Sequence, residues 1–224
     1  MEYLYLNNQE VEYYTDKYDF NKLRYIDIYV SSYAPFIDIT YDLEYFNRHK
    51  NDILEELTSN KEVKNVSVME SYNHYDNLIL DTVYRVGAEP VYESRSKTGS
   101  GVIVGLLEPG VVDLDHPNLQ NSLIEIRPHA LNIIRSKEHA TQMALIICGD
   151  NGIAPDVLVY NAGIYGVTIT AEMEWLLDND VDIINMSFGY VLSEGTYNSM
   201  SAYVDYIISQ NYVVVVAASG NEGE

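Results

Sequence analysis

Four polar residues stand where predicted strands or helices meet loops, and their side chains are of types that catalyse acyl transfer. Glu108 closes the apolar run "GVIVGLLE", Ser187 follows "DIINM", and Asn221 follows "YVVVVAASG". His139 lies where a helix is expected to begin. A carboxylate can fix the tautomer of an imidazole, the imidazole can act as a general base, and an amide can donate to a developing oxyanion. These residue types predict an acyl-transfer site.

The segments that would position these residues alternate between strands and helices. From about residue 98 onward, strands are predicted at 101–110, 157–160, 181–187 and 212–218, and helices at 139–148, 169–177 and 198–209. Such alternation is typical of parallel strands joined by crossover helices, with catalytic groups at the carboxyl ends of the strands. The expected fold class is therefore α/β, with a doubly wound parallel sheet that carries helices on both faces.

The last predicted strand, 212–218, carries four valines in a row. An apolar β-branched run of this kind predicts a strand that is buried on both faces. Because this strand is also the last one in the sequence, we expect it to form an exposed edge of the sheet, which is a liability for aggregation.

The residues before this α/β part predict a small α+β unit. Strands are expected at 23–30 and 63–69, with an amphipathic helix between them. Thr40 is expected to cap that helix, with Asp42 and Glu44 in its first turn. The predicted domain organisation is a small unit at 1–80, a linker at 81–97 and the α/β part at 98–224.

Composition excludes several classes of partner. The formal net charge of -21 argues against nucleic acid and against an anionic membrane surface. No apolar run reaches the ~18 residues of a membrane span, and the N-terminus does not read as a signal peptide, which favours a cytoplasmic location. The single cysteine, Cys148, forms no intrachain disulfide and is expected to be a small buried hydrophobe. No acidic cluster has a calcium-loop spacing, so no cofactor is expected from the residues themselves.

Four blocks in order resemble the subtilisin-like serine proteases, or subtilases: "GVIVGLLEPGVVDLDHPNL", "HATQMALIICGDNGIAPDVLVYNAGIYG", "WLLDNDVDIINMSFG" and "VVVVAASGNEG". The resemblance implies cleavage of peptide or protein substrates. It places Glu108 at the catalytic aspartate of the family, His139 at the catalytic histidine and Asn221 at the oxyanion asparagine. Ser187, Phe188 and Gly189 match the strand that pairs with substrate backbone. Calcium is the only metal that the resemblance implies. Residues 1–80 would be a propeptide-like unit or, alternatively, an unrelated extension.

The chain departs from the family at several of these positions. Glu108 and Pro109 replace the aspartate and the hydroxyl residue of Asp-Thr-Gly or Asp-Ser-Gly. The histidine motif His-Gly-Thr-His-Val-Ala-Gly becomes "HATQMAL", with Ala140, Gln142 and Leu145 among the changes. These changes motivate an alternative function, a catalytically inactive pseudoprotease that acts as a binding or regulatory module. A doubly wound domain unrelated to peptidases is a further alternative.

The nucleophile is the largest departure from the family pattern. The family motif Gly-Thr-Ser-Met-Ala follows the oxyanion asparagine, whereas this sequence ends at Glu224. Ser199 and Ser201 in "GTYNSMSAY" precede Asn221 and fall in a predicted helix, so neither is expected to act as the nucleophile. The sequence therefore predicts an N-terminal portion of the peptidase domain that is inactive alone, with a second chain or segment carrying the rest.

Overall fold

The computed structural model describes residues 2–5, 27–34, 36–41, 43–59, 61, 63, 65–68, 73–74, 86–87, 91, 97–128, 130, 136–164, 169–189 and 197–220. The chain forms two compact units. The first unit comprises Met1–Ser71, Gly166–Glu174 and Tyr190–Tyr212, and the second unit comprises Tyr72–Tyr165, Trp175–Gly189 and Val213–Glu224. This division follows spatial contacts, and the predicted boundaries at 80 and 98 stay a prediction.

Strands and helices within the described ranges are numbered in chain order. The strands are β1 (Glu2–Tyr5), β2 (Asp27–Val30), β3 (Phe36–Thr40), β4 (Asn65–Val68), β5 (Asn73–His74), β6 (Ile103–Glu108), β7 (Leu123–Ile126), β8 (Leu158–Gly163), β9 (Ile183–Met186), β10 (Phe188–Gly189) and β11 (Val214–Ala217). The helices are α1 (Leu43–Ser59), α2 (Glu138–Cys148), α3 (Ile169–Asp178) and α4 (Ser199–Asn211).

The first unit contains an antiparallel sheet in the order β2-β3-β1-β4. The apolar residues Phe46, Ile53 and Leu57 recur on one face of α1, as a helical period requires. They pack in one buried cluster with Ile37 and Ile39 of β3. Each such side chain contributes about 1.5–3 kcal/mol when fully buried, so this cluster stabilises the contact between helix and sheet. The expected small α+β unit is present.

One detail of the first-unit prediction is wrong. Thr40 does not lie at the start of α1, because it is the last residue of β3 and pairs with Asp27 of β2, whereas α1 begins at Leu43. Threonine is β-branched and suits a strand as well as a cap, and the strand contacts decide between the two here. The strand predicted at 23–30 is observed at Asp27–Val30, and residues 23–26 lie outside the described ranges.

The second unit is built on a five-stranded parallel sheet in the order β11-β9-β6-β8-β7. The prediction of an α/β fold around a parallel sheet is confirmed. β6 is the central strand, with Leu106 and Leu107 fully buried. Helix α2 places Met143 and Ala144 in the same core as Leu106 and Val159. The carboxyl end of β6 is consequently fixed from three directions, by β8, β9 and α2.

Strand β11 differs from one of the two expectations for the valine run. Val214 and Val216 are 55% and 51% exposed, so the expectation of burial on both faces is wrong. β11 pairs only with β9 among the described strands and is the last strand in the sheet order, which confirms the expected edge. An edge strand lacks the second neighbour that would cover its side chains and backbone.

Candidate active site

A buried glutamate and a buried histidine meet at the carboxyl end of the central strand of the second unit. Glu108 ends β6 and is 0% exposed, and His139 is the second residue of α2 and is 7% exposed. The distance from His139 Nδ1 to Glu108 Oε2 is 2.7 Å. Because a carboxylate only accepts hydrogen bonds, this contact puts the proton on Nδ1. The imidazole is then the tautomer whose Nε2 can accept a proton from a nucleophile.

The other oxygen of Glu108 has a different partner. The backbone N–H of Ser187 donates to Glu108 Oε1 at 3.2 Å. Ser187 is the one residue between β9 and β10, and its hydroxyl accepts from Asn185 Nδ2 at 2.8 Å. The carboxylate therefore bridges the imidazole and the first residue of the segment that the sequence predicts to bind substrate backbone.

The backbone around Glu108 is packed too closely to shift. Ile164 N–H donates to the carbonyl of Glu108 at 2.7 Å, and Val111 N–H donates to the carbonyl of Ser136 at 2.9 Å. A Cβ atom at Gly110 would lie 2.9 Å from that same Ser136 oxygen, so a larger residue would force the backbone to move. These contacts set the separation between the end of β6 and the start of α2.

Asn161 supports the site and is not identified by the sequence patterns. This residue lies in β8, is fully buried, and donates through Nδ2 to the carbonyl of Leu106 at 3.1 Å. Its Oδ1 accepts from Val112 N–H at 2.9 Å. The amide thus joins the strand before Glu108 to the loop after it. The signal in the sequence is an asparagine inside the apolar run "VLVYNAG", since a buried amide needs partners.

The predicted substrate-pairing segment is already part of a small sheet. Phe188 is buried and Gly189 is half-buried, and both form β10, which pairs antiparallel with β5. The register sets Phe188 opposite His74 and Gly189 opposite Asn73. Asn221, the predicted oxyanion donor, lies outside the described residues. The structure thus places Glu108 in direct contact with His139 and with Ser187, and the chain continues from Ser187 into β10.

The departures in the histidine motif do not prevent the Glu108–His139 contact. Ala140 is buried in the core of the second unit, and Leu145 packs against the same cluster.

The two serines of "GTYNSMSAY" lie in α4 and differ in their surroundings. Ser199 begins α4 and is fully buried, and Ser201 donates to Asn198 at the helix cap through its N–H and its hydroxyl.

Metal binding and membrane insertion find no support in the described parts of the chain. Within the described residues, no group of three or more His, Cys, Asp or Glu side chains could hold a metal ion. Every helix within the described ranges is too short or too polar to cross a bilayer.

The family follows from a comparison with known proteins. The model of the subtilase family matches residues 99–224, which is more than half of the chain. The matched range contains Glu108, His139, Ser187 and Asn221. The chain belongs to the subtilase family.

Two relatives show how similar this sequence is to those of known proteins. Alkaline elastase YaB of Bacillus sp. (strain YaB) is 32% identical over 148 residues, and subtilisin E of Bacillus subtilis (strain 168) is 30% identical over 149 residues. Each match covers 60% of this chain and 38% of the relative. The chain therefore spans well under half of the length of these relatives.

Solved structures share the fold. Fervidolysin from Fervidobacterium pennivorans, described as a keratinolytic enzyme related to subtilisin, matches with a TM-score of 0.61 at 15% identity. That match covers 99% of this chain and 40% of fervidolysin, so it includes the residues before 98. The prenylagaramide maturation protease PagA matches with a TM-score of 0.52 at 23% identity over 61% of this chain and 52% of PagA.

Proposed function

We propose that the protein is a serine endopeptidase of the subtilisin type, in which Glu108 orients His139 and His139 moves the proton. The observation that carries the proposal is the 2.7 Å contact between Glu108 and His139 at the end of the central strand of a subtilase fold. Neither side chain has a structural reason to be buried there alone, because burying a carboxylate is costly without a specific partner.

The proposed chemistry uses these groups in order. A serine hydroxyl gives its proton to His139 Nε2 while its oxygen attacks the carbonyl carbon of a peptide bond. The Glu108 carboxylate stabilises the imidazolium that results, and the Asn221 amide donates to the oxyanion of the tetrahedral intermediate. His139 then gives the proton to the leaving amine. Water completes the cycle by the same route in a second half-reaction, which releases the acid product.

The first experiment asks whether the gene product, purified from its source, carries an activated serine. Its intact mass is measured before and after treatment with a fluorophosphonate probe, and the labelled peptide is sequenced. We expect one adduct on one serine. His139→Ala should slow labelling by about 10²–10⁴-fold, which is the usual contribution of a general base.

His116→Ala is the matched control for this experiment. His116 belongs to the second unit and caps the short 3₁₀ turn Pro117–Leu119, where its Nδ1 accepts from Asn118 N–H. Its loss should leave the labelling rate unchanged. A product that gains no adduct, with the wild-type sequence and a folded spectrum, would refute the peptidase and favour the pseudoprotease, a binding or regulatory module.

The N-terminal part is proposed to act on the same site as a propeptide-like segment. The supporting observation is that β5 lies antiparallel beside β10, the strand on which a substrate backbone would pair. An extended peptide and β5 would compete for one edge of β10. The synthetic peptide SYNHYDN, residues 71–77, should therefore slow probe labelling of a processed enzyme, whereas a scrambled peptide should not. Equal labelling with both peptides would contradict this role.

A further inference from the structure

The two oxygens of Glu108 make two different connections, and only one of them belongs to the proton-transfer chemistry. Oε2 contacts His139 Nδ1 at 2.7 Å, and Oε1 accepts from Ser187 N–H at 3.2 Å. The carboxylate is 0% exposed, so neither bond competes with water. A buried carboxylate with one partner on each oxygen has a fixed orientation.

The Ser187 contact lies at a break in the sheet. β6 and β9 pair in parallel up to Leu107 opposite Met186, and the ladder stops there. Ser187 comes next, and its N–H donates to the glutamate side chain instead of to a backbone carbonyl of β6. The chain then turns into β10. The carboxylate therefore fixes the position of Ser187, the residue that joins the central sheet to β10.

The length of the side chain decides whether both contacts can exist. Aspartate at position 108 would withdraw the carboxylate by roughly one carbon–carbon bond, about 1.5 Å. A contact lengthened by that amount exceeds hydrogen-bond range. The backbone on both sides is held by hydrogen bonds that oppose such a shift, because Glu108 O accepts from Ile164 N–H and Val111 N–H donates to the Ser136 carbonyl. Aspartate would keep one contact at most.

We propose that Glu108 is a positioning residue that couples the position of Ser187, between β9 and β10, to the orientation of His139. This chain therefore requires glutamate where other subtilases have aspartate. The catalytic consequence of this inference rests on the proposed function. The structural part, which is the pair of contacts that Glu108 makes with His139 and Ser187, does not depend on it. Restoring the aspartate of the family should therefore impair this protein instead of improving it.

The test compares Glu108→Asp with Glu125→Asp in the 224-residue chain by nuclear magnetic resonance. Glu125 lies on β7 and is exposed, so it undergoes the same chemical change without the contacts. In the wild type and in Glu125→Asp we expect a low-field Nδ1 proton from His139 and a slowly exchanging amide at Ser187. In Glu108→Asp we expect at least one of these signatures to be lost, with Ser187 exchange about tenfold faster or more if that bond breaks.

Several outcomes would overturn the inference. Glu108→Asp that keeps both signatures contradicts the length argument. If the Ser187 amide of the wild type exchanges as fast as an exposed amide, the hydrogen bond between Ser187 N–H and Glu108 is contradicted. This measurement does not depend on whether the variant folds. Ser187→Ala, which keeps the backbone N–H, should keep both magnetic resonance signatures.

Probe labelling of the gene product separates this inference from the proposed function. If the wild type is labelled, Glu108→Asp should be labelled at least about tenfold more slowly while Glu125→Asp is unchanged. Equal labelling of Glu108→Asp and the wild type refutes the positioning role. If the wild type itself is not labelled, the proposed function fails, and the magnetic resonance signatures alone decide the bridge.

Discussion

Two buried glutamates, Glu108 in the second unit and Glu174 in the first, are stabilised by different kinds of partner. Glu108 has an imidazole on one oxygen and one backbone N–H on the other. Glu174 lies on α3, is 2% exposed, and accepts from uncharged groups of the first unit: Tyr29 Oη at 2.6 Å, Ser32 N–H at 3.1 Å, Ser32 Oγ at 3.0 Å, Tyr203 Oη at 3.4 Å and the hydroxyl of Ser31.

The difference separates a carboxylate with a structural role from the carboxylate that we propose to act in catalysis. The donors around Glu174 are hydroxyls and an amide that do not titrate near neutral pH, so their only effect is to hold the loop after β2 against α3. The partner of Glu108 is an imidazole, which can accept and release a proton, and its orientation depends on the carboxylate. Burial alone therefore does not distinguish Glu108 from Glu174, whereas the type of partner does.

The largest expected effect separates the two glutamates by activity. Glu108→Gln should slow probe labelling of the gene product by about 10³–10⁴-fold, because an amide can hold the imidazole in the wrong tautomer. Glu174→Gln should leave the labelling rate of the folded protein close to that of the wild type. Comparable losses in both variants would erase the distinction, and Glu125→Gln on exposed β7 serves as the control.

The next effect is on stability and is confined to the first unit. Glu174→Gln turns an acceptor-only group into an amide whose NH₂ faces donors, and we expect a loss of about 1.5–3 kcal/mol in the free energy of unfolding. Urea denaturation measures the loss, and hydrogen exchange should locate it in β2 and β3. The exposed Glu55→Gln on α1 should cost almost nothing. Equal protection of β2 and β3 in both variants would contradict the structural role.

Cys148 is a buried ionisable group whose hydrogen bonding is too weak to offset its loss of water. Removal from water raises the pKa of its thiol from 9.0 to about 11, although a contact with Ser122 opposes the shift. The folded state therefore binds the proton more tightly than the unfolded state. Its contribution is complete below pH 9 and is lost between about pH 9 and 11, by up to roughly 2 kcal/mol.

The checking measurement is the difference in unfolding free energy between the wild type and Cys148→Ala from pH 8 to pH 11. Other groups titrate in this range and cancel in the difference. The advantage of the wild type should shrink as the pH rises. A difference independent of pH would show that the thiol is not held neutral by burial.

The smallest expected effect is at an exposed ion pair. Lys137 Nζ lies 2.9 Å from Asp113 Oδ1, and this contact lowers the pKa of Asp113 and raises the pKa of Lys137. The Asp113 contribution is present above pH 3.8 and is lost as the pH falls below that value. Because water surrounds the pair, Lys137→Ala should barely change the thermal midpoint of unfolding at pH 7. Lys97→Ala, at another exposed lysine, is the control and should also leave the midpoint nearly unchanged. A large shift in Lys137→Ala alone would show that the pair supports α2.

Much of the α/β part is predictable because its strands are continuous apolar runs. "GVIVGLLE", "VLVY" and "VDIINMS" predict β6, β8 and β9, and apolar spacing predicts the helices α2, α3 and α4. β7 escapes prediction because it has only four residues, three apolar and one acidic, which carry too little signal alone. β3 escapes prediction because its threonine suits a helix cap equally well.

The site is predictable only in part. Motif order points to Glu108 and His139, which the structure brings into contact. The bridge to Ser187 is not predictable, because it joins a side chain to a backbone N–H far away in the sequence. Glu174 escapes prediction because a glutamate in a helix reads as a solvated residue, and only the tertiary contacts show that Tyr29 and Ser31 enclose it.

The central position of β6 has a consequence for synthesis on the ribosome. Its parallel partners, β8 and β9, follow it by on the order of 50 to 80 residues. At about 5–20 residues per second, roughly 4–16 s pass between the synthesis of the apolar segment "IVGLL" and the completion of β9, the later of its two neighbours. The strand that carries Glu108 therefore lacks its parallel partners during that interval, and nascent chains that end before β8 should be bound by chaperones more strongly than chains that extend well beyond β9.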